Sequence, residues 1–188
     1  MPTALASHSC ISCAVGSVAG QIAKRAGARV VGIAGGSEKC LYVQDTLGFD
    51  ACIDHRALHL DRELKDACPN GIDGYFENVG GAVQAAVFGQ LNRLSRVAMC
   101  GMVSQYNDKA FPPGPNLGFV VGKAVRIQGF IVSDRPARFT EWRAMAEPLV
   151  AGNRRSLVGA AAGDAAAMRI KVHASKAHSR RGDFNMSG

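Results

Sequence analysis

Two clusters of polar side chains follow hydrophobic runs in this sequence, and their residue types suit ligand chemistry. Ser104, Gln105, Tyr106 and Asn107 come after the run 97–102, and Glu77, Asn78, Val79, Gly80 and Gly81 close an earlier run. If both runs are strands of one open α/β sheet, both clusters lie in the crevice beyond the strand carboxyl ends, where loop amides and helix N-termini converge. That placement predicts a nucleotide-binding domain. A phenol such as Tyr106 can hydrogen-bond a ribose hydroxyl or a substrate oxygen while hydride moves. The plainer alternative is a surface loop tyrosine, and the flanking Ser104 and Asn107 favour the site. Asn78 and Gly80 either combine a cofactor-holding amide with a glycine that permits close approach, or form an ordinary turn.

The elements that would position these residues are legible from periodicity. Residues 14–26 carry apolar positions at helical spacing, and Gly27 stands as their stop. The β-branched run 29–34 predicts a strand ending at Gly35 and Gly36, and Ser37 is placed to cap a helix over 37–47. Strands are further predicted at 49–53, 71–79, 96–102 and 125–132, and helices at 60–67, 82–91, 117–123 and 137–150. Strict alternation of this kind needs right-handed crossovers and builds a parallel sheet covered on both faces, an α/β fold. Beyond Gly152 no period is sustained, which predicts a disordered or divergent tail.

A dinucleotide fold needs glycines between its first strand and first helix, so that main-chain amides reach the pyrophosphate. Only part of that signal is present. Gly16 opens a helix with a small-residue face, Gly20 suits close packing on the sheet, and Cys10 and Cys13 stand where glycines are expected. At the end of the second strand, where an acidic residue would bond ribose hydroxyls, the chain has Gly35 and Gly36. Lys39 is then either a solvated surface lysine or a partner for the 2′-phosphate of NADP, with His55 or Arg56 adding to the same pocket. Cys10 and Cys13 form a C-x-x-C with His8 nearby, but no second metal-ligand pair accompanies them, so no metal site is expected. No Ser, His and Asp arrangement or carboxylate pair supports hydrolysis.

The motifs A-V-G-S-V-A-G-Q-I-A-K (14–24), V-V-G-I-A-G-G-S-E-K-C (30–40), L-G-F-D (47–50), G-I-D-G-Y-F-E-N-V-G-G (71–81) and C-G-M-V-S-Q-Y-N (100–107) together resemble the medium-chain dehydrogenase/reductase superfamily. Within it they are most similar to the zinc-independent, NADPH-dependent alkenal, curcumin and prostaglandin reductases. The resemblance implies a Rossmann-type, doubly wound parallel sheet that binds NADP(H) and takes part in reducing the carbon–carbon double bond of an α,β-unsaturated aldehyde or ketone. By position it implies that Gly16 and Val18 form the pyrophosphate loop and that Lys39 anchors the 2′-phosphate. It further implies that Asn78 contacts cofactor, that Tyr106 lies near the nicotinamide ribose, and that Phe130 and Val132 belong to the strand meeting the nicotinamide. With Gly80, Ser104 and His55 these make the expected cofactor set, and Tyr106 is the expected catalytic residue. His55 replaces the family's usual Tyr.

The expected organisation is a divergent N-terminal remnant at 1–13, whose residues make a poor first strand, an NADP-binding domain at 14–152 and a basic tail at 153–188. The family's GroES-like catalytic domain and its closing segment have no counterpart here, so this chain is expected to be the cofactor half, with a truncated gene as one origin. The alternative is a noncatalytic nucleotide-binding or dimerisation module, and a homodimer through edge strands fits either.

With 188 residues, one core is the default. No apolar run is long enough for a membrane span and no signal peptide opens the chain, which predicts a cytoplasmic protein. Of the net charge of +7, residues 154–188 carry +5, leaving +2 for the rest. Without interleaved aromatics, that basic tail reads as solvated and gives nucleic-acid binding little support. The six cysteines lie among apolar segments and read as reduced thiols rather than a disulfide frame.

Overall fold

The structure, a computed structural model, describes residues 5–8, 14–110 and 113–151, with the backbone alone for 5–8, 14, 145 and 148–151. Strands and helices alternate: β1 (Leu5–His8), α1 (Ala14–Arg25), β2 (Val30–Ala34), α2 (Ser37–Leu41), β3 (Ala51–Asp54), α3 (Leu60–Ala67), β4 (Ile72–Glu77), α4 (Gly81–Gln90), β5 (Leu91–Met99), α5 (Gly118–Lys123), β6 (Arg126–Gly129) and α6 (Ala137–Ala151). The strands form one sheet in the order β3-β2-β1-β4-β5-β6, parallel at every pairing. This is the doubly wound arrangement of dinucleotide-binding Rossmann domains, so all six carboxyl ends share one edge and the winding reverses beside β1.

Burial explains why these residues make this sheet. All five residues of β2 are buried, which a strand with covered faces requires. Val31 and Ile33 join Leu64, Tyr75, Val87, Phe88 and Val97 in the larger core, while Val30 packs with Ala23, Val43, Leu47 and Phe49 in a second one. Burying a side chain of this size is worth about 1.5–3 kcal/mol. Helix α1 sits close to the second core because Gly20 has no side chain, and a Cβ there would fall inside the Phe49 ring.

Four expectations need correction. The segment before Ala14, expected to make a poor first strand, contributes β1 at the centre of the sheet, with Leu5–His8 paired to β2 on one side and β4 on the other. A parallel ladder is a main-chain interaction, so two long neighbours can recruit a short strand whose side chains give little signal. Strand β5 begins at Leu91, directly after α4, rather than at 96, and ends at Met99. Its register against β4 shifts between Ile72 and Gly74, and Leu94 adopts a positive φ of 64°. The helix expected over 37–47 is α-helical only to Leu41 and continues as a wider π-type turn at Tyr42–Thr46. Finally, β6 stops at Gly129, so the last strand is shorter than the expected 125–132.

Cys40 and Cys68 are buried, Cys52 and Cys100 are partly buried, and all four are free thiols. Burial, then a hydrogen bond with Cys40, pushes the Cys52 thiol far up, and burial also raises that of Cys68. Because the thiolate is the reactive form, brief alkylation at mildly alkaline pH should leave Cys52 and Cys68 unmodified until denaturant is added. Mass spectrometry of the peptides checks this, and labelling of either residue in the folded protein would contradict it. Cys10, Cys13 and the tail at 153–188 lie outside the described residues. Among the described residues, no helix is long and apolar enough to cross a membrane.

Candidate active site

The carboxyl ends of β4 and β5 are built as one unit around Glu77. This residue is fully buried, and its carboxyl oxygens accept hydrogen bonds from the Tyr75 hydroxyl (2.8 Å), the Val79 amide (2.6 Å) and the Gly80 amide (3.0 Å). Its own carbonyl accepts the Cys100 amide at 2.8 Å, which joins the exit of β4 to that of β5. Burial first, then the neighbouring Glu77, raises the Tyr75 hydroxyl well above its ordinary pKa, so Tyr75 is held as a proton donor to Glu77. Gly80 precedes α4 with φ 82°, a conformation that favours glycine.

The polar side chains expected at this edge do come together. A Cβ on Gly101 would stand 2.6 Å from Asn78 Oδ1 and equally close to the Tyr106 hydroxyl, so these two groups face each other across a glycine. The Tyr106 hydroxyl accepts the Met102 amide at 3.4 Å, and its side chain remains 66% exposed. Ser104 is held by its own hydroxyl, which donates to the Val79 carbonyl at 2.5 Å, while the Val103 amide donates to the Asn78 carbonyl at 3.0 Å. A cleft of about 530 Å³ opens beside this group, lined by Met99, Cys100, Gly101, Met102, Tyr106, Gly129, Phe130, Ile131 and Asp134.

Phe130 lies in that cleft with its ring against Phe76, centroids 6.2 Å apart. Val132, expected on the strand that meets the nicotinamide, is not on β6 and does not line the cleft. It opens a short 3₁₀ turn, Val132–Asp134, and is 79% exposed. The reason is the Asp134 carboxylate, which accepts the Ile131 amide at 2.9 Å and curls the chain away just after β6.

A second group forms beyond β2 and β3. A Cβ on Gly35 would lie 2.8 Å from His55 Nε2 and 3.2 Å from Arg56 Nε, so two basic side chains cover the glycines that end β2. Lys39 stands exposed in the first turn of α2, which follows those glycines. Asp54 is tied to this turn, its Oδ1 accepting the amides of Gly36 at 2.9 Å and Arg56 at 3.0 Å. Beside it a smaller cleft of about 430 Å³ runs from the turn after β3, with His55 and Leu58, to Ala82 and Ala86 of α4.

Gly16 and Val18 are placed differently from the loop expected of them. Both lie inside α1, Gly16 buried and Val18 partly so, because helical geometry already begins at Ala14, and residues 9–13 lie outside the described residues. Helix α1 is the element that follows the carboxyl end of β1 in the chain. Asp54 and Gly101 were not expected in the site, and Glu77 was expected only as one of the polar residues closing a strand, without its structural role. Glu77 has a sequence signal, an acidic residue at the end of an apolar strand, whereas Gly101 is marked only by the partners that fold against it. Among the described residues, no group of three His, Cys, Asp or Glu side chains is arranged to hold a metal ion.

Residues 14–151 match the family model for zinc-binding dehydrogenases. The chain is 49% identical over 124 residues to the NADPH-dependent curcumin reductase of Escherichia coli (strain K12), a match covering 63% of this chain and 36% of that protein. It is 44% identical over 122 residues to prostaglandin reductase 1 of Rattus norvegicus, covering 64% and 37% respectively. Among solved structures, CurA of Vibrio vulnificus in complex with NADPH superposes with a TM-score of 0.73 at 44% identity, over 80% of this chain and 46% of that one. The chain therefore belongs to the zinc-binding dehydrogenase family, in the medium-chain dehydrogenase/reductase branch that includes curcumin and prostaglandin reductases. It spans less than half the length of these relatives.

Proposed function

We propose that this chain is the cofactor-binding part of an NADPH-dependent oxidoreductase that reduces the carbon–carbon double bond of α,β-unsaturated aldehydes or ketones. The observation that carries the reading is the basic cover of His55 and Arg56 over Gly35, with Lys39 next in the chain, where an acidic residue would mark a preference for NADH. CurA, a relative at 44% identity, carries NADPH in its solved structure, and the curcumin reductase is named for that dependence.

The residues fit the cofactor along the whole sheet edge. Lys39, His55 and Arg56 hold the 2′-phosphate, and the cleft beside Leu58, Ala82 and Ala86 takes the adenine. The amides at the start of α1, with Gly16 and Val18 behind them, hold the pyrophosphate. Asn78, Gly80, Ser104 and Tyr106 hold the nicotinamide ribose, and Phe130 walls the larger cleft, with Val132 in the segment that follows. When bound, NADPH would supply a hydride for the β-carbon of the enone, and a proton from solvent would complete the reduction at the α-carbon. Tyr106 donates its exposed hydroxyl to a ribose hydroxyl or to the substrate carbonyl, which steadies charge developing on that oxygen. No metal enters this reading, and the protein is placed in the cytoplasm.

A homodimer through edge strands fits β6, which ends the sheet and has no neighbour on its outer side among the described residues. The same edge supports the second reading, a noncatalytic nucleotide-binding or dimerisation module. Incubating the protein with NADPH and a simple alkenal separates the two. The enzyme reading expects NADPH oxidation that depends on the alkenal and is depressed by Tyr106→Phe, and NADPH binding without turnover favours the module.

A further inference from the structure

One acidic group stands inside the basic cluster beyond β2 and β3. Asp54 ends β3, and a single oxygen, Oδ1, accepts both the Gly36 amide (2.9 Å) from the turn after β2 and the Arg56 amide (3.0 Å) from the turn after β3. The β2–β3 register sets Ala34 opposite Asp54, and the His55 amide donates to the Ala34 carbonyl at 2.9 Å, so the Gly36 and His55 amides join the two turns while the Arg56 amide closes the turn after β3 on the same oxygen. The amide of Gly36, then that of Arg56, holds the Asp54 carboxyl below the usual carboxylate range. A negative charge beside a site for a phosphate weakens binding by repulsion. Its presence among His55, Arg56 and Lys39 therefore calls for a compensating role.

We infer that Asp54 is a positioning residue for NADPH selectivity: one oxygen clamps the turns after β2 and β3 together, which brings the His55 and Arg56 side chains over Gly35. This rests on the reading of that cluster as the 2′-phosphate pocket. The clamp depends on where the acceptor oxygen lies and not on its charge, and two substitutions separate these. Asp54→Asn keeps a carbonyl oxygen able to accept both amides and removes the charge. Asp54→Glu keeps the charge and moves the oxygens outward by one methylene, so both amides cannot be met in their present places.

The test is titration of the 188-residue protein and both variants with NADPH and with NADH, following nucleotide fluorescence, with circular dichroism to verify folding. The expected result is that Asp54→Glu raises the NADPH dissociation constant about tenfold while changing that for NADH less than about threefold, and that Asp54→Asn stays within about threefold of the parent for both. Asp54→Ala carries the same expectation as Asp54→Glu and replaces it if the longer side chain prevents folding. Equal NADPH-to-NADH ratios in the parent and in Asp54→Glu, or a loss in Asp54→Asn as large as in Asp54→Glu, would overturn the clamp while leaving the cofactor reading intact. A parent protein without preference for NADPH would remove the reading itself, and the inference with it.

Discussion

Replacing Glu77 by alanine is expected to lower the melting temperature by roughly 6–20 °C, the largest stability loss of any single change near the site. The substitution strands three donors, the buried Tyr75 hydroxyl and Gly80 amide and the partly buried Val79 amide. A buried donor left without a partner costs about 1–3 kcal/mol, so the three together cost about 3–6 kcal/mol allowing for relaxation. Against a total stability of about 5–15 kcal/mol for a domain, that is a large fraction. The same change releases the turn that holds Asn78 and Gly80, so nucleotide binding should weaken alongside stability. Glu77→Gln should cost far less, about 1 kcal/mol, because its carbonyl still accepts the two amides and its amide nitrogen can donate to the Tyr75 oxygen. Thermal melts of both variants check this, and a Glu77→Ala protein melting within about 2 °C of the parent would show that Glu77 does not hold the two strand ends together.

Replacing Lys39 by alanine is expected to weaken NADPH binding by about 1–3 kcal/mol, or roughly fivefold to 150-fold, and to leave NADH nearly unchanged. The asymmetry follows from the chemistry, since the two cofactors differ only in the 2′-phosphate that an ammonium group would pair with. Lys39 is exposed and its side chain makes none of the hydrogen bonds or ion pairs described for the fold, so its replacement should not disturb folding. Raising salt should erode the NADPH affinity of the parent more than that of the variant, as screening acts on the charge pair. Equal losses for both cofactors in calorimetric titrations would refute a phosphate-specific role for Lys39.

The fold was largely legible because the signals that matter are local. Apolar spacing marks α1, α3 and α4, and the β-branched run at Val30–Ala34 marks a buried strand. What escaped was set by distant main chain. The four residues of β1 take their place because β2 and β4 flank them, and no side-chain pattern announces that. The early start of β5 depends on a register shift against β4 and on Leu94 entering a left-handed conformation, neither of which apolar periodicity encodes.

The site divides in the same way. Asn78, Ser104 and Tyr106 were legible as polar residues closing apolar strands, and the structure sets Asn78 and Tyr106 across Gly101 and ties Ser104 to the Val79 carbonyl. Asp54 was not, because its partners are main-chain amides, one of them 18 residues away. Glu77 was visible as a polar strand end, but its role depends on Tyr75, which alternation alone would place as an ordinary core residue. Val132 was misplaced because a local turn held by Asp134 ends the strand sooner than its β-branched run suggests.

The central claim is that this sheet edge is a binding site for NADPH. Calorimetric titration of the protein with NADPH and with NADH tests it most directly, with circular dichroism confirming that the protein under test is folded. The expected result is saturable binding of one NADPH per chain, with NADH weaker by at least about tenfold, the value set by one charge-assisted phosphate contact. A folded protein that binds neither nucleotide, or binds both equally, would contradict it.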